Sequence, residues 1–271
     1  MKRAIALVII FILLTSANSF AEDRSKISKD DRPPKTSDSR KTGEKQEKAK
    51  DNTPGPGIDE KTGYPVSNPY SRKTVSYKIP YKVEVPSKYD QDQDRKYPLL
   101  VSLHGGGQRG SDITTIKAPN FARYEKNGYN FEFITISPLC PNGYQWMEFL
   151  PELNSIINDT VSKYRVDINR IYLTGTSMGG AGTWYLAAAY PKQFAAIMPV
   201  IACCDPALAV NLKDIPIWAM NGAKDPVVPL QYAQNTINAL KAVGAKELKF
   251  TVDPEGGHTA PSFIKPEDTY N

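Results

Sequence analysis

A regular alternation of apolar strands and amphipathic helices constrains the fold of this chain more than any other feature of its sequence. Tyr97 to Leu103 is a compact apolar segment, and Leu153 to Tyr164 carries apolar residues at helical spacing. Because strands that alternate with helices build βαβ units, the pattern predicts an α/β domain with a mostly parallel central sheet and helices on both faces. Further strands are predicted at 77–85, 131–137, 170–174, 195–202, 216–220 and 248–252, and further helices at 183–190 and 230–243.

The first 21 residues are typical of a signal peptide. Two basic residues precede an apolar run from Ala4 to Leu14 that is too short to span a bilayer as a helix. Small residues, Ser19 and Ala21, then mark a cleavage site. We therefore expect a secreted or periplasmic protein with no stable membrane insertion after signal cleavage, the alternative being an uncleaved anchor.

Residues 22–61 differ sharply from the rest of the chain. They are rich in Lys, Asp, Glu, Ser, Thr and Pro and hold almost no large apolar side chains. Such a segment cannot bury enough apolar surface to offset its ordering entropy, so a disordered charged linker is predicted there and a catalytic domain over 62–271. The net charge of +5 is spread along the chain, so we expect no nucleic-acid partner.

The segment Gly175-Thr176-Ser177-Met178-Gly179 follows a predicted strand and precedes a predicted helix. It matches G-x-S-x-G, in which a sharp strand-to-helix turn exposes a strained serine hydroxyl. Side chains two positions before and two after the serine would collide in that turn, so glycine is needed at both places. This context predicts Ser177 as a nucleophile; the alternative is an idle serine in a glycine-rich turn.

A second glycine-rich loop, His104-Gly105-Gly106-Gly107, follows the strand at 97–103. Backbone amides in such a loop can stabilise the oxyanion of a tetrahedral intermediate, together with the amide after the nucleophile. We predict an oxyanion hole made by Met178 and by Gly105 or Gly106. His104 leads into this loop, and we expect its role to be structural.

The general base and its acidic partner follow from chain order. The elbow fold places its residues in the order Ser, acid, His, and of the two histidines only His258 follows Ser177. Asp225 lies just after the predicted strand at 216–220 and is the predicted acid; Asp205 is the alternative. These three side chains, Ser177, His258 and Asp225, would form a triad in which the acid orients the imidazole.

No feature of the sequence calls for a cofactor or a metal. The two histidines are far apart, no Cys-x-x-Cys occurs, and no phosphate loop or dinucleotide fingerprint is present. The three cysteines are Cys140, Cys203 and Cys204, and an odd number leaves at least one thiol unpaired within the chain. A bridge between the two neighbours would be strained, and pairing of Cys140 with either of them stays open.

Four segments together resemble a known family. They are Leu103 to Asp112, Ser137 to Pro141, Tyr172 to Gly180 and Asn221 to Asp225. They look like bacterial α/β-hydrolases known as serine esterases or predicted peptidases, similar to carbohydrate esterase 1 type feruloyl esterases and polyhydroxybutyrate-depolymerase-like esterases. The resemblance covers roughly residues 70–258.

The resemblance implies the α/β-hydrolase fold, the same three triad residues, and small-molecule or polymer-derived esters as substrates. It also implies a substrate-binding role for Trp146, for which ordinary packing is the alternative. Family members usually continue into a final helix after the histidine. Because the chain ends soon after His258, we expect that it is truncated or dispenses with that helix.

The sequence therefore predicts a serine carboxylic-ester hydrolase that works through an acyl-enzyme. A serine peptidase of prolyl-oligopeptidase type is the first alternative, but residues 22–61 cannot form the propeller domain that such peptidases usually carry. A catalytically inactive binding protein built on the same fold is the second alternative.

Overall fold

The structure, a computed structural model, describes residues 78–116 and 132–259 of the chain. The predicted signal peptide (1–21) and the predicted charged linker (22–61) lie outside the described residues. Within the described ranges, no helix is both long and apolar enough to cross a lipid bilayer.

Seven strands make one sheet: β1 (Tyr81–Glu84), β2 (Tyr97–Leu103), β3 (Ile134–Pro138), β4 (Val166–Thr176), β5 (Ala196–Val200), β6 (Ile217–Gly222) and β7 (Leu248–Asp253). Their order across the sheet is β1-β3-β2-β4-β5-β6-β7. Edge strand β1 runs antiparallel to β3, and every other neighbouring pair is parallel. The prediction of a mostly parallel sheet is confirmed.

Four α-helices lie in the described residues: α1 (Leu150–Lys163), α2 (Met178–Ala189), α3 (Ala209–Leu212) and α4 (Leu230–Ala242). Each packs against the next along the chain. From β3 to β7 every connection moves in the same direction across the sheet, so right-handed crossovers place α1 to α4 on one face. The connection from β2 to β3 moves the opposite way across the sheet, and its residues 117–131 are not described.

The centre of the sheet, in strands β2 and β4, is apolar and buried. Leu99, Leu100 and Val101 of β2 have no exposed surface, nor does Leu173 of β4. Burying each such side chain stabilises the fold by about 1.5–3 kcal/mol. The carboxyl ends of these two strands, where the glycine-rich loops begin, therefore emerge from a fully buried part of the sheet.

Two helices begin earlier than the sequence pattern indicates. Helix α1 starts at Leu150 instead of Leu153, because Pro151 is well tolerated in a first helical turn. Helix α2 starts at Met178 instead of Thr183. Its first turns contain three glycines, which have low helix propensity, and here tertiary packing overrides that preference.

Candidate active site

The predicted site residues gather at one edge of the sheet. Ser177 follows β4, Asp225 follows β6 and His258 follows β7. The loop that begins at His104 follows β2, the neighbour of β4. Because these strands are parallel, their carboxyl ends open at the same edge, where open α/β sheets bind their ligands.

Ser177 occupies a backbone conformation that few non-glycine residues adopt. Its φ of 56° and ψ of −117° place it between the end of β4 and the first residue of α2. Its N–H donates to the carbonyl oxygen of Val200 at 2.9 Å, which ties the turn to β5. Strain of this kind persists only where surrounding structure holds it, and it is concentrated at functional sites.

The two glycines of the motif are required by close approach of backbone atoms. A Cβ atom at Gly175 would lie 2.3 Å from the carbonyl oxygen of Gly179. A Cβ atom at Gly179 would lie 1.9 Å from the carbonyl oxygen of Leu103. The predicted collision is confirmed, and the second contact shows that Gly179 also lets α2 approach β2.

A chain of hydrogen bonds joins the three predicted triad residues. The Ser177 hydroxyl lies 2.8 Å from Nε2 of His258. Nδ1 of the same imidazole lies 2.9 Å from Oδ2 and 3.0 Å from Oδ1 of Asp225. A carboxylate can only accept, so Nδ1 carries the proton, and Nε2 is left to accept from the serine hydroxyl.

The Asp225 carboxylate is held by its own loop. Its side chain has no exposed surface, and its Oδ1 accepts from the backbone N–H groups of Val227 and Val228 at 2.8 and 2.9 Å. Asp205, the alternative acid, instead accepts from the N–H of Ala207 at the start of a short 3-10 helix. The structure thus brings Asp225, and not Asp205, to the imidazole.

The loops that carry Asp225 and His258 are bound to each other. The N–H of Lys224 donates to the carbonyl oxygen of Gly256 at 2.9 Å, and the Lys224 side chain pairs with Glu255. A Cβ atom at Gly222 would lie only 2.3 Å from the Gly256 carbonyl oxygen. This close packing fixes the distance between Asp225 and His258.

Two candidate oxyanion donors lie beside the serine. Met178 and Gly106 both line the cleft that contains Ser177. Each is the first residue of a helix, α2 and a short 3-10 helix respectively, so neither amide has an intrahelical acceptor. Gly105 does not line the cleft. The structure therefore favours Gly106 over Gly105 as the partner of Met178.

The His104 side chain is buried and links its own glycine-rich loop to the loop that contains Cys140. Its Nε2 accepts from the N–H of Cys140 at 3.0 Å, and its Nδ1 lies 2.8 Å from the carbonyl oxygen of Gly105. Burial, aided by the nearby charge of Arg109, lowers the pKa of His104. The neutral ring thus positions the glycine-rich loop, in agreement with the expected structural role.

Trp146 does not reach the cleft, contrary to the expectation that it binds substrate. It has no exposed surface, and its Nε1–H donates to the carbonyl oxygen of His104 at 2.9 Å. Its ring packs edge-on against His104, with the centroids 4.9 Å apart. The apolar core offers this large side chain more burial than the cleft, and its neighbours Gln145 and Met147 line the cleft instead.

The cleft beside the serine has a volume of about 290 Å³. The sequence did not indicate most of the residues that line it. Gln145 and Met147 flank the tryptophan that the sequence singled out, and Arg109 follows the glycine-rich loop, so position next to a motif was the available signal. The described residues that line it are Gly106, Arg109, Gln145, Met147, Ser177, Met178, Ala181, Ala202, Cys203 and Val228.

All three cysteines are free thiols in the structure. Burial raises the pKa of Cys140 to about 12 and that of Cys203 to about 11, so both are neutral near pH 7. Among the described residues, no three His, Cys, Asp or Glu side chains are grouped so that they could hold a metal ion.

Comparison with known proteins agrees with this architecture. A family model described as Phospholipase/Carboxylesterase matches residues 131–263. Feruloyl esterase B of Neurospora crassa is 32% identical over 115 residues, which are 37% of this chain and 37% of that protein.

Solved structures give the same result. A thermostable esterase is 34% identical with a TM-score of 0.59, over 65% of this chain and 50% of that one. An acylaminoacyl peptidase of Pyrococcus horikoshii is 17% identical with a TM-score of 0.53, over 69% of this chain and 36% of that one; at this identity the likeness concerns the fold alone. The chain spans half or less of the length of these relatives.

Proposed function

The chain has the α/β-hydrolase fold, and from that premise we propose that it hydrolyses carboxylic esters with Ser177 as nucleophile, His258 as general base and Asp225 as the orienting acid. The observation that carries the proposal is the 2.8 Å contact between the Ser177 hydroxyl and Nε2 of His258. A nucleophile within hydrogen-bond reach of a base that a third group orients is the arrangement required for acyl transfer.

The reaction has two halves. In the first, Nε2 of His258 takes the hydroxyl proton while Oγ of Ser177 bonds to the ester carbonyl carbon, and the carbonyl oxygen becomes an oxyanion. The C–O bond to the alcohol then breaks, and the alcohol leaves with the proton from the imidazolium. In the second half, water gives a proton to the same nitrogen while its oxygen bonds to the acyl carbon. The bond from that carbon to Oγ of Ser177 then breaks, Oγ takes the proton back from the imidazolium, and the carboxylic acid is released.

The amides of Met178 and Gly106 are proposed to stabilise the oxyanion in both halves. Both residues line the cleft next to the serine, and the Met178 amide also lies at the positive end of α2. Such donors act most strongly when they are fixed before the reaction. The hydrogen bond from the Trp146 indole to the His104 carbonyl supports this fixed position.

Esters are proposed as substrates because of the relatives. The relatives named esterases share up to 34% identity with this chain, whereas the peptidase relative shares only its fold. We propose small-molecule or polymer-derived esters, with hydroxycinnamate esters such as methyl ferulate among them. We also propose that the protein acts after export, as the pattern of residues 1–21 indicates.

Substrate profiling with matched variants tests the proposal. The purified protein should hydrolyse p-nitrophenyl acetate and methyl ferulate at least 100-fold faster than a panel of peptide p-nitroanilides. Ser177→Ala should lose this activity, and Ser162→Ala, which changes an exposed serine on α1, should keep it. Faster cleavage of peptides would favour the peptidase alternative, and wild-type protein that is folded but inactive on every substrate would favour the non-catalytic one.

A further inference from the structure

We propose that Arg109 recognises a carboxylate on the substrate, so that the preferred esters carry a negative charge near the scissile bond. The inference rests on the proposed function and deepens it by naming a substrate class. Arg109 is the one charged side chain among the described residues that line the cleft with Ser177. Its guanidinium is always protonated and presents a planar fork of donors that matches a carboxylate.

The position of the guanidinium is close to the reacting atoms. A Cβ atom at Gly106 would lie 3.4 Å from Nη1 of Arg109, and one at the neighbouring Gly105 would lie 3.9 Å from Cβ of Ser177. Adjacent residues are about 3.8 Å apart. The guanidinium and the nucleophile therefore both lie beside this loop, and both side chains line the same cleft.

The backbone beneath Arg109 is anchored. The N–H of Gly110 donates to the carbonyl oxygen of Cys140 at 3.0 Å, and the N–H of Cys140 donates to His104 at 3.0 Å. These two bonds fix both ends of the loop from His104 to Gly110. A fixed backbone limits the entropy that the arginine loses when it binds an anion.

Arg109 has no counterion within the described residues. No ion pair there includes it, and its buried Nε has no hydrogen-bond partner. The adjacent thiol of Cys140 does not neutralise it, because burial raises the pKa of that thiol to about 12. A guanidinium without a counterion in the cleft can bind a ligand carboxylate through charge-assisted hydrogen bonds.

Paired esters that differ only in charge test the inference. For a charge in the acyl part, the p-nitrophenyl monoester of glutarate is compared with p-nitrophenyl pentanoate. For a charge in the alcohol part, 4-acetoxybenzoate is compared with 4-acetoxybenzamide. We expect kcat/KM of the wild type to favour the charged ester about 10- to 100-fold in one of the two pairs, as a charge-assisted hydrogen bond would produce. The pair that shows it tells which part of the substrate Arg109 contacts.

Variants separate recognition from a general electrostatic effect. Arg109→Met should abolish the preference, because it should lower kcat/KM far more for the charged ester than for the neutral one, and Arg109→Lys should retain part of the preference. Lys192→Met is the matched control, because it removes an exposed charge beyond the far end of α2, about 18 Å from the serine. Equal losses on charged and neutral esters would overturn the inference and assign Arg109 to the oxyanion instead.

Of two further measurements, the first needs no variant and the second needs no turnover. In the wild type, raising the salt concentration should lower kcat/KM for the charged ester and leave the neutral one unchanged. Glutarate should raise the melting temperature of the wild type but not of Arg109→Met. Hydrolysis of neutral esters without any charge preference overturns the inference alone. Absence of all Ser177-dependent hydrolysis overturns the proposed function, and the glutarate shift then still decides whether Arg109 binds a carboxylate.

Discussion

The Asp225 carboxylate, whose side chain has no exposed surface, lies 2.9 Å from Nδ1 of His258 and completes its coordination with two backbone amides. A carboxylate buried in this way cannot be replaced by water, so it sets the tautomer and the orientation of the ring. The imidazole of His258 then presents an unprotonated nitrogen to Ser177.

We therefore expect Asp225→Asn to lower kcat about 10³- to 10⁴-fold, because an amide can donate to Nδ1 and stabilise the wrong tautomer. Steady-state kinetics on p-nitrophenyl acetate measure this loss. Asp205→Asn is the matched control, since Asp205 only accepts from Ala207 in its own turn. A similar loss in both variants would argue against the assignment of the acid.

Gly179 has a structural requirement that Gly107 lacks. A Cβ atom at Gly179 would lie 1.9 Å from the carbonyl oxygen of Leu103, whereas one at Gly107 would have no heavy atom within 4 Å. We expect Gly179→Ala to reduce the free energy of unfolding by at least about 4 kcal/mol and Gly107→Ala to leave it within about 0.5 kcal/mol. Urea titrations followed by circular dichroism compare the two, and equal stability would show that α2 can move away from β2.

The sequence predicted the sheet well because parallel strands are buried on both faces and read as apolar runs, as β2 does. The glycine spacing and the chain order also predicted that Ser177 and His258 act together, and the structure brings their side chains to 2.8 Å. It did not predict the early start of α2, because the glycines there are dictated by contact with Leu103 on a distant strand. For a similar reason, the sequence did not indicate that Arg109 lines the cleft, and it wrongly indicated that Trp146 does. Whether a side chain faces a cleft or the core depends on neighbours far along the chain.

Burial of His104 predicts a stability change at acid pH. Its pKa is lowered in the folded protein, while in the unfolded chain it stays near about 6.5. Above that value the His104 imidazole is neutral in both states, and the full stability is present. As the pH falls below it, only the unfolded state takes up a proton. The folded state therefore loses stability until the pH reaches the folded pKa. The protonated ring could no longer accept from the Cys140 amide.

Comparison of the wild type with His104→Gln isolates this effect from other titrating groups. The free energy of unfolding, measured in urea at several pH values between 7.5 and 5, should decline more steeply in the wild type. Parallel curves would mean that His104 protonates equally easily in both states.

Trp146 and Met147 are neighbours with different surroundings. Trp146 lies in the core and donates to the His104 carbonyl, while Met147 lines the cleft. Trp146→Phe should lower the free energy of unfolding by about 1–3 kcal/mol, since it leaves a buried acceptor unsatisfied, and should leave KM nearly unchanged. Met147→Ala should change KM and the acyl-chain preference. If Trp146→Phe alone changed KM strongly, the result would support a contact between Trp146 and the substrate.

The central claim is that the hydroxyl of Ser177 is the activated nucleophile, and covalent labelling tests it most directly. Incubation with a fluorophosphonate, followed by digestion and mass spectrometry, should find one adduct on the peptide that contains residue 177, and Asp225→Asn should label far more slowly. Folded protein that hydrolyses esters while this serine stays unmodified, or an adduct on another serine, would contradict the account.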